Sequence, residues 1–443
     1  MKRMISSLIL SLFVLIGTYA QEESRLWTLN DCIDYALEHN IQIKKKRLNL
    51  LSGEEDLLQS KAQLFPSLSG NISQNFGNYP SNDRSPNNSY NGNYGIDANW
   101  TLFDGGRRTT TIKQNEKQQD VNELNIQQNE NDIRIALVKA YMQVLYATES
   151  VRINENTVEV SKEQRDRGEE FFKAGSISKV DLTQLEAQYS SDKYRLVSAQ
   201  TNLDNYKMQL KQLLELDVMQ DILIHEPTLN YKDVMQPLSN KETIYNTSLS
   251  VMPEIKTSQL NKEIAELEVK SARAGYYPSL SLSAGIGTGN SLVKTSEYGE
   301  RRNFGDQLSY NFNESLGVSL SIPIYSNRSN KTAVNKAKLA VITNELEYVD
   351  TQKQLLSTVE GIYLDAVSSQ NQYLAAAEQL LAVGESYSLI EQQFFLGMKN
   401  TLELLTAKND LLTARQEVLQ AKYMSILSIQ LLNIYQGKPL TEM

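Results

Sequence analysis

Proline is scarce in this chain, and its nine occurrences leave two stretches empty, one between Phe103 and Pro227 and one between Ile324 and Lys438. Both stretches are rich in Ala, Leu, Gln, Glu and Lys. A proline inside a helix costs about 3 kcal/mol, so breaker-free runs of this composition read as long helices. Cysteine is nearly absent: the single Cys32 excludes an internal disulfide and, inside Asp31-Cys32-Ile33-Asp34-Tyr35-Ala36-Leu37, reads as a small buried helix residue rather than a reactive thiol. Histidine is limited to His39 and His225, which stand alone and supply neither a metal ligand set nor a catalytic triad. No enzyme, no cofactor and no metal site is expected. After Ala20 no apolar run reaches the roughly 20 residues of a transmembrane helix, so any membrane span must be made of strands. The net charge of −9 argues against nucleic acid as a partner. Gly285-Ile286-Gly287-Thr288-Gly289 lacks the Lys-Ser or Lys-Thr of a phosphate-binding loop and reads as glycines in a strand and turn.

The one long apolar run that is present stands at the start. Lys2 and Arg3 precede Leu8 to Ile16, and Gly17-Thr18-Tyr19-Ala20 closes the segment, so 1–20 reads as a signal peptide. Cleavage there leaves Gln21 first, with no cysteine to accept a lipid.

The architecture is written twice. Ala62-Gln63-Leu64-Phe65-Pro66-Ser67-Leu68-Ser69 returns as Ala274-Gly275-Tyr276-Tyr277-Pro278-Ser279-Leu280-Ser281, and Phe172-Lys173-Ala174-Gly175 pairs with Phe394-Phe395-Leu396-Gly397. The spacing implies a tandem duplication, 21–230 and 231–443, whose second copy is about ten residues longer between Pro278 and Ile324. Asp217 to Asn240 is the connector.

After each Pro-Ser-Leu-Ser the period changes to two. Leu68, Ile72 and Phe76 share one face with Gly70 and Gln74, while Ser67, Ser69, Asn71, Ser73 and Asn75 take the other; Tyr94, Ile96, Ala98, Trp100 and Leu102 repeat the alternation after a turn-rich loop. The result is a hairpin over 67–103, and a second over 279–325 with Leu280, Leu282, Ala284 and Ile286, then Tyr310, Phe312, Leu316, Val318, Leu320 and Ile322. One face apolar and one face small and polar is the pattern of a barrel wall between lipid and water. Glu314 breaks the apolar row and is expected near the rim. The loops Tyr79–Gly92 and Gly289–Gln307 are expected on the outside of the cell.

Trp27 to Glu38 reads as a short helix capped by Thr28 or Asn30, followed by a helix from Asn40 to Phe65. Longer helices end at Phe172 and run from Asn327 to Phe394, each about 100 Å; the shorter Ser178–Leu216 and Thr401–Gln436 follow tips at 173–178 and 396–401. Lys44-Lys45-Lys46-Arg47 reads as a solvated helix face. Helices of this length must bury their sides against other helices as coiled coil. Four strands leave two open edges, which lipid forbids, so several chains must close one barrel.

At this point the chain resembles the TolC-like outer membrane efflux proteins, the outer membrane factors, over essentially its whole mature length. The resemblance is carried by the two Pro-Ser-Leu-Ser junctions, by Trp100-Thr101-Leu102-Phe103-Asp104-Gly105-Gly106-Arg107, by Phe172 to Leu182, and by Phe394 to Leu404. It implies a mainly α fold with a small β part: a periplasmic α-barrel of very long coiled-coil helices, and four strands per chain in a trimeric twelve-stranded outer membrane β-barrel. The implied function is a passive conduit of a tripartite efflux or secretion system in the outer membrane of a Gram-negative cell. The implied partners are two further copies, outer membrane lipid, a periplasmic adaptor protein and an inner membrane transporter of RND or ABC type. Two alternatives stand beside it. One is a structural coiled-coil protein of the envelope, against which the lipid-compatible hairpins argue; the other, within the channel class, is a type I protein-secretion channel.

The resemblance also assigns residues. Glu403 occupies an acidic ring position at the periplasmic gate, and Lys399 and Asp181 match positions that hold neighbouring tips together. Thr406 stands where a second acidic ring residue is expected, and Phe394 where a tyrosine can donate a gate hydrogen bond. Gly175, Ser178, Gly397 and Asn400 fall on the tips that meet the adaptor's helical hairpin. Against this, Ser178-Lys179-Val180-Asp181 and Asn400-Thr401-Leu402-Glu403 have the form of helix starts, in which Asp181 and Glu403 satisfy free backbone amides for about 1 kcal/mol each.

Overall fold

A computed structural model describes residues 26–78, 80, 88–217, 219, 221–291 and 303–440. The expected signal peptide, and positions 79, 81–87 and 292–302 of the two expected exterior loops, lie outside the described residues.

The breaker-free stretches are helical over most of their length: α3 spans Arg107–Lys173 and α9 spans Ser329–Phe395, 67 residues each. Four helices of each half match in length one for one, while the short α5, Tyr231–Val234, and a short helix over Phe304–Tyr310 have no counterpart among the described residues. Of 11 residues are α1, Leu29–His39, and α6, Lys241–Val251. Of 22 are α2, Ile41–Ala62, and α7, Pro253–Ala274; of 35 are α4, Lys179–Leu213, and α10, Thr401–Tyr435. Pro66 and Pro278 each stand between the end of a helix and the first residue of a strand, where the missing amide and the restricted preceding residue favour extended chain.

The chain divides into two compact units. The first, Lys45–Gln128 with Pro253–Lys353, holds an antiparallel sheet of four strands in the order β2 (Ser67–Asn78), β3 (Asn88–Phe103), β5 (Ser279–Ser291) and β6 (Asn313–Ser321). Its register sets Leu68 opposite Ala98, Ala98 opposite Ala284 and Ala284 opposite Leu316 on one face. On the other face Asn99 meets Ser67 and Ser283, and Gly317 follows. The apolar face has no cover: Leu68 is 75%, Ile72 78%, Leu316 77% and Val318 68% exposed. Among the described residues β2 and β6 each keep one edge without a partner strand.

Two features differ from the sequence reading. Tyr310 and Phe312 do not extend the last strand, because residues Phe304–Tyr310 form a short helix, α8, closed by bonds from Gln307 N to Asn303 O and from Asn311 N to Gln307 O. α8 occupies the edge of β5 where a longer β6 would pair: the Thr288 hydroxyl donates to Leu308 O, Ser291 N donates to Gln307 Oε1, and Asn311 Nδ2 donates to Gly289 O. The second difference is Trp27, which lies outside α1. Thr28 caps that helix with φ −82° and ψ 166°, so the residue before it is extended, and β1, Leu26–Trp27, pairs in parallel with β4, Leu223–Ile224.

The second unit comprises the residues up to Lys44, Asn129–Met252 and those from Gln354 on. Its core gathers Trp27, Leu29, Cys32, Leu137, Tyr141, Leu210, Ile222 and Leu431 from both halves of the sequence. Tyr141 is fully buried and its hydroxyl donates to His225 O at 2.8 Å, which ties the connector to α3. Cys32, the single cysteine, is buried within α1 as expected of a small helix residue.

Candidate functional site

The two helix hairpins of the second unit end in tips of the same construction. At the first, Gly175 N donates to Phe172 O and Ser176 N to Phe171 O; at the second, Gly397 N donates to Phe394 O and Met398 N to Gln393 O. This doubled bonding closes a helix through a left-handed residue. Gly175 and Gly397 hold φ +73° and +72° with open space around the missing side chain, so what glycine provides there is backbone freedom rather than room.

The next helix then starts on a reciprocal cap. Asp181 N donates to Ser178 Oγ and Ser178 N to Asp181 Oδ2, both at 3.1 Å; Glu403 N donates to Asn400 Oδ1 at 2.9 Å and Asn400 N to Glu403 Oε2 at 3.0 Å. Both expected gate carboxylates are therefore engaged as helix caps. Glu403 has a second partner, since Lys399 Nζ donates to its Oε1 at 2.5 Å within the same tip. The Lys399 bond first, and the Asn400 amide second, hold the Glu403 carboxyl below the usual range. For Asp181 the Ser178 hydroxyl does the same, opposed by burial and aided by the Ser178 backbone amide.

Phe394 is buried, in ring contact with Phe171 at 6.4 Å and with Phe395 at 5.6 Å, so it joins the hairpins through an aromatic cluster. Thr406 is exposed one turn after Glu403, its hydroxyl donating to Leu402 O. Asp410, also exposed, continues the same face at the next turn. Around the tips Leu396, Met398, Leu402 and Val180 stand 65% or more exposed.

Behind the tips lies a polar layer that no motif in the sequence announces. Lys408 of α10 donates to Asp192 Oδ2 of α4 at 2.6 Å and to the hydroxyl of Ser161 of α3, which itself bonds to Asp192. Gln188 and Arg195 complete the shell of Asp192 at 3.0 and 3.3 Å. Burial pushes the Lys408 ammonium below the usual lysine value, and the bond to Asp192 opposes this. Beside it Gln164 bridges to Tyr387 and Glu391, and burial, with the Glu391 hydrogen bond next, raises the Tyr387 hydroxyl well above the usual tyrosine value. The signal that could have found the Lys399–Glu403 pair is its i,i+4 spacing. Lys408 and Asp192 are too far apart in sequence to show one.

The profile of one protein family, described as outer membrane efflux protein, matches residues 32–215 and 244–432. Outer membrane protein TolC of Salmonella enteritidis is 22% identical over 394 residues, covering 87% of this chain and 76% of the relative. The proteases secretion protein PrtF of Dickeya chrysanthemi is 22% identical over 422 residues, covering 89% of this chain and 85% of the relative. Among solved structures, that of CusC, described for conformational changes accompanying folding and transmembrane channel formation, superposes with a TM-score of 0.79 at 18% identity and covers 96% of both chains. The fold, the match along both halves and these relatives agree, and the chain belongs to the outer membrane efflux protein family, as an outer membrane channel of the efflux and secretion class.

Proposed function

We propose that three copies of the chain close a twelve-stranded barrel in the outer membrane, with the long helices forming a periplasmic tunnel through which solutes or polypeptides pass to the outside. The observation that carries this reading is the sheet: four strands with an uncovered apolar face and unpaired edges on β2 and β6. Each backbone group left unpaired in hydrocarbon costs several kcal/mol, so the edges require partner strands, and identical copies supply them. The exposed seam Leu339, Ile342, Leu346 and Val349 on α9 has the 3-4-3 spacing of a coiled-coil contact with a neighbouring helix.

The duct is passive and performs no catalysis; energy comes from an inner membrane transporter of RND or ABC type, reached through a periplasmic adaptor. The tips present exposed apolar side chains beside Gly175, Ser178, Gly397 and Asn400, a surface suited to the adaptor's helical hairpin. Glu403, Lys399, Asp181, Thr406 and Phe394 form the gate region in this reading. The segment 1–20 directs export, and the halves 21–230 and 231–443 arose by tandem duplication.

Native mass measurement of the detergent-extracted protein tests the assembly. Three mature chains are expected. A monomer, or a protein soluble without detergent, overturns the reading.

A further inference from the structure

The four strands contain two charged residues, Asp97 in β3 and Glu314 in β6. The register puts them on opposite faces. Glu314 pairs with Ile286, which pairs with Ile96, in the apolar set; Asp97 pairs with Ser69 on one side and Gly285 on the other, and Gly285 with Ser315. On the polar face the neighbours of Asp97 are serine, asparagine, threonine and glycine, and among the described strand residues no lysine or arginine offsets it.

The wall is shaped around this carboxylate. A side chain at Gly285 would bring its Cβ to 2.9 Å from Asp97 Oδ1 and 3.1 Å from Ser315 Oγ. The absence of that Cβ lets Asp97 lie across β5 towards β6, so its charge stands in an open row of hydroxyls.

We propose that Asp97 is a charge-selecting residue of the barrel lumen, which favours cationic over anionic solutes. The inference rests on the barrel reading above, in which the polar face lines water. Symmetry repeats the carboxylate around the lumen, against a neutral hydroxyl and amide background, so the described strand residues of this face carry charge of a single sign. Such a ring raises the local concentration of cations and lowers that of anions, an effect that fades as salt rises, with a screening length of about 10 Å at 0.1 M. This filter stands in the strands and is separate from the carboxylates of the tips.

The test uses reagents that enter from outside and never cross the tips. In a Cys32→Ser background, Ser69→Cys places a thiol directly across the strand pair from Asp97, with Cβ atoms about 5 Å apart. Whole cells at low ionic strength are treated with a trimethylammonium or a sulfonate methanethiosulfonate, and the modified fraction is read on the purified protein. At that separation one charge in water raises the local cation concentration and lowers that of the anion by about fourfold each. The cation-to-anion rate ratio at Ser69→Cys is therefore expected to fall by about tenfold with Asp97→Asn, and further with Asp97→Lys; high salt should remove the difference. Ser315→Cys, in the same row, is the second reporter should the first disturb insertion. A ratio unmoved by Asp97→Lys at a reactive thiol overturns the inference and leaves the barrel reading intact. Thiols unreactive to both reagents, in protein that reaches the outer membrane, overturn both.

Discussion

Lys408 Nζ lies 2.6 Å from Asp192 Oδ2, and the two side chains are 5% and 1% exposed, so an ion pair between the two halves of the chain is buried inside a helical coiled coil. Burying two charges costs several kcal/mol per ion before their attraction and hydrogen bonds repay it. Here Ser161, Gln188 and Arg195 supply those bonds, and all come from the first half. The pair therefore fixes which residues of α10 face α4 more than it adds net stability.

Removing Asp192 leaves Lys408 buried without its counter-charge, whereas removing Lys408 leaves Asp192 with Arg195 at 3.3 Å. Asp192→Leu is expected to destabilise the helical part by about 3–5 kcal/mol and Lys408→Met by less, read as a lower midpoint in denaturant followed by circular dichroism. The double variant Lys408→Met/Asp192→Leu is expected to recover most of that loss. If the double loses as much as the sum of the singles, the pair is not the unit that matters.

The tip carboxylates predict a pH response with a definite sign. Glu403 and Asp181 titrate below their ordinary values in the folded chain, so the stability they contribute is present above the unfolded pKa, about 4, and is lost as pH falls through the folded values. Hydrogen exchange at the starts of α4 and α10 should be flat between pH 5 and 8 after correction for intrinsic rates, and should rise below about pH 4. Ser178→Ala and Asn400→Ala should each cost about 1 kcal/mol of local stability at neutral pH. A rise in exchange between pH 5 and 7 would point to some other group.

Much of this molecule is legible in the sequence because two physical signals are strong in it. The lack of proline permits helices of 67 residues, and the strict alternation of Leu68, Ile72 and Phe76 with Ser69, Asn71 and Ser73 shows a sheet with two chemically different sides. What stays hidden depends on distant partners. β1 and β4 are two residues each, far apart in the chain, and neither is long enough to carry a period. Tyr310 and Phe312 mimic strand spacing, yet hydrogen bonds from Gln307 and Asn311 draw Tyr310 into a helix instead. Lys408 and Asp192 look like solvated residues until the helices that bury them are placed side by side. At the tips, the cap spacing of Ser178–Asp181 and Asn400–Glu403 is legible, while the aromatic packing that buries Phe394 beside Phe171 is not.

The loop between β2 and β3 joins strands whose other ends lead into α2 and α3, so in the barrel reading it lies outside the cell. Asn88→Cys in a Cys32→Ser background should react with an impermeant thiol reagent on whole cells. Protection there, in protein that reaches the outer membrane, contradicts the topology.

Glu403 separates two accounts of the tip. As a cap, its carboxylate needs only to accept from Asn400 N; as part of a pore ring, its charge must act on passing ions. Glutamine keeps an oxygen able to accept that bond and removes the charge. Because Lys399 lies 2.5 Å away in the same tip, Glu403→Gln also frees an ammonium, so the tip becomes one unit more positive for each copy. In single-channel recordings at low salt, Glu403→Gln is expected to shift selectivity from cations towards anions and to weaken block by divalent cations. Lys399→Gln should do the reverse, strengthening both. Glu403→Gln/Lys399→Gln restores the original net charge and should fall between them. If all three variants conduct like the parent, Glu403 and Lys399 lie away from the ion path, and the cap is the whole of their role.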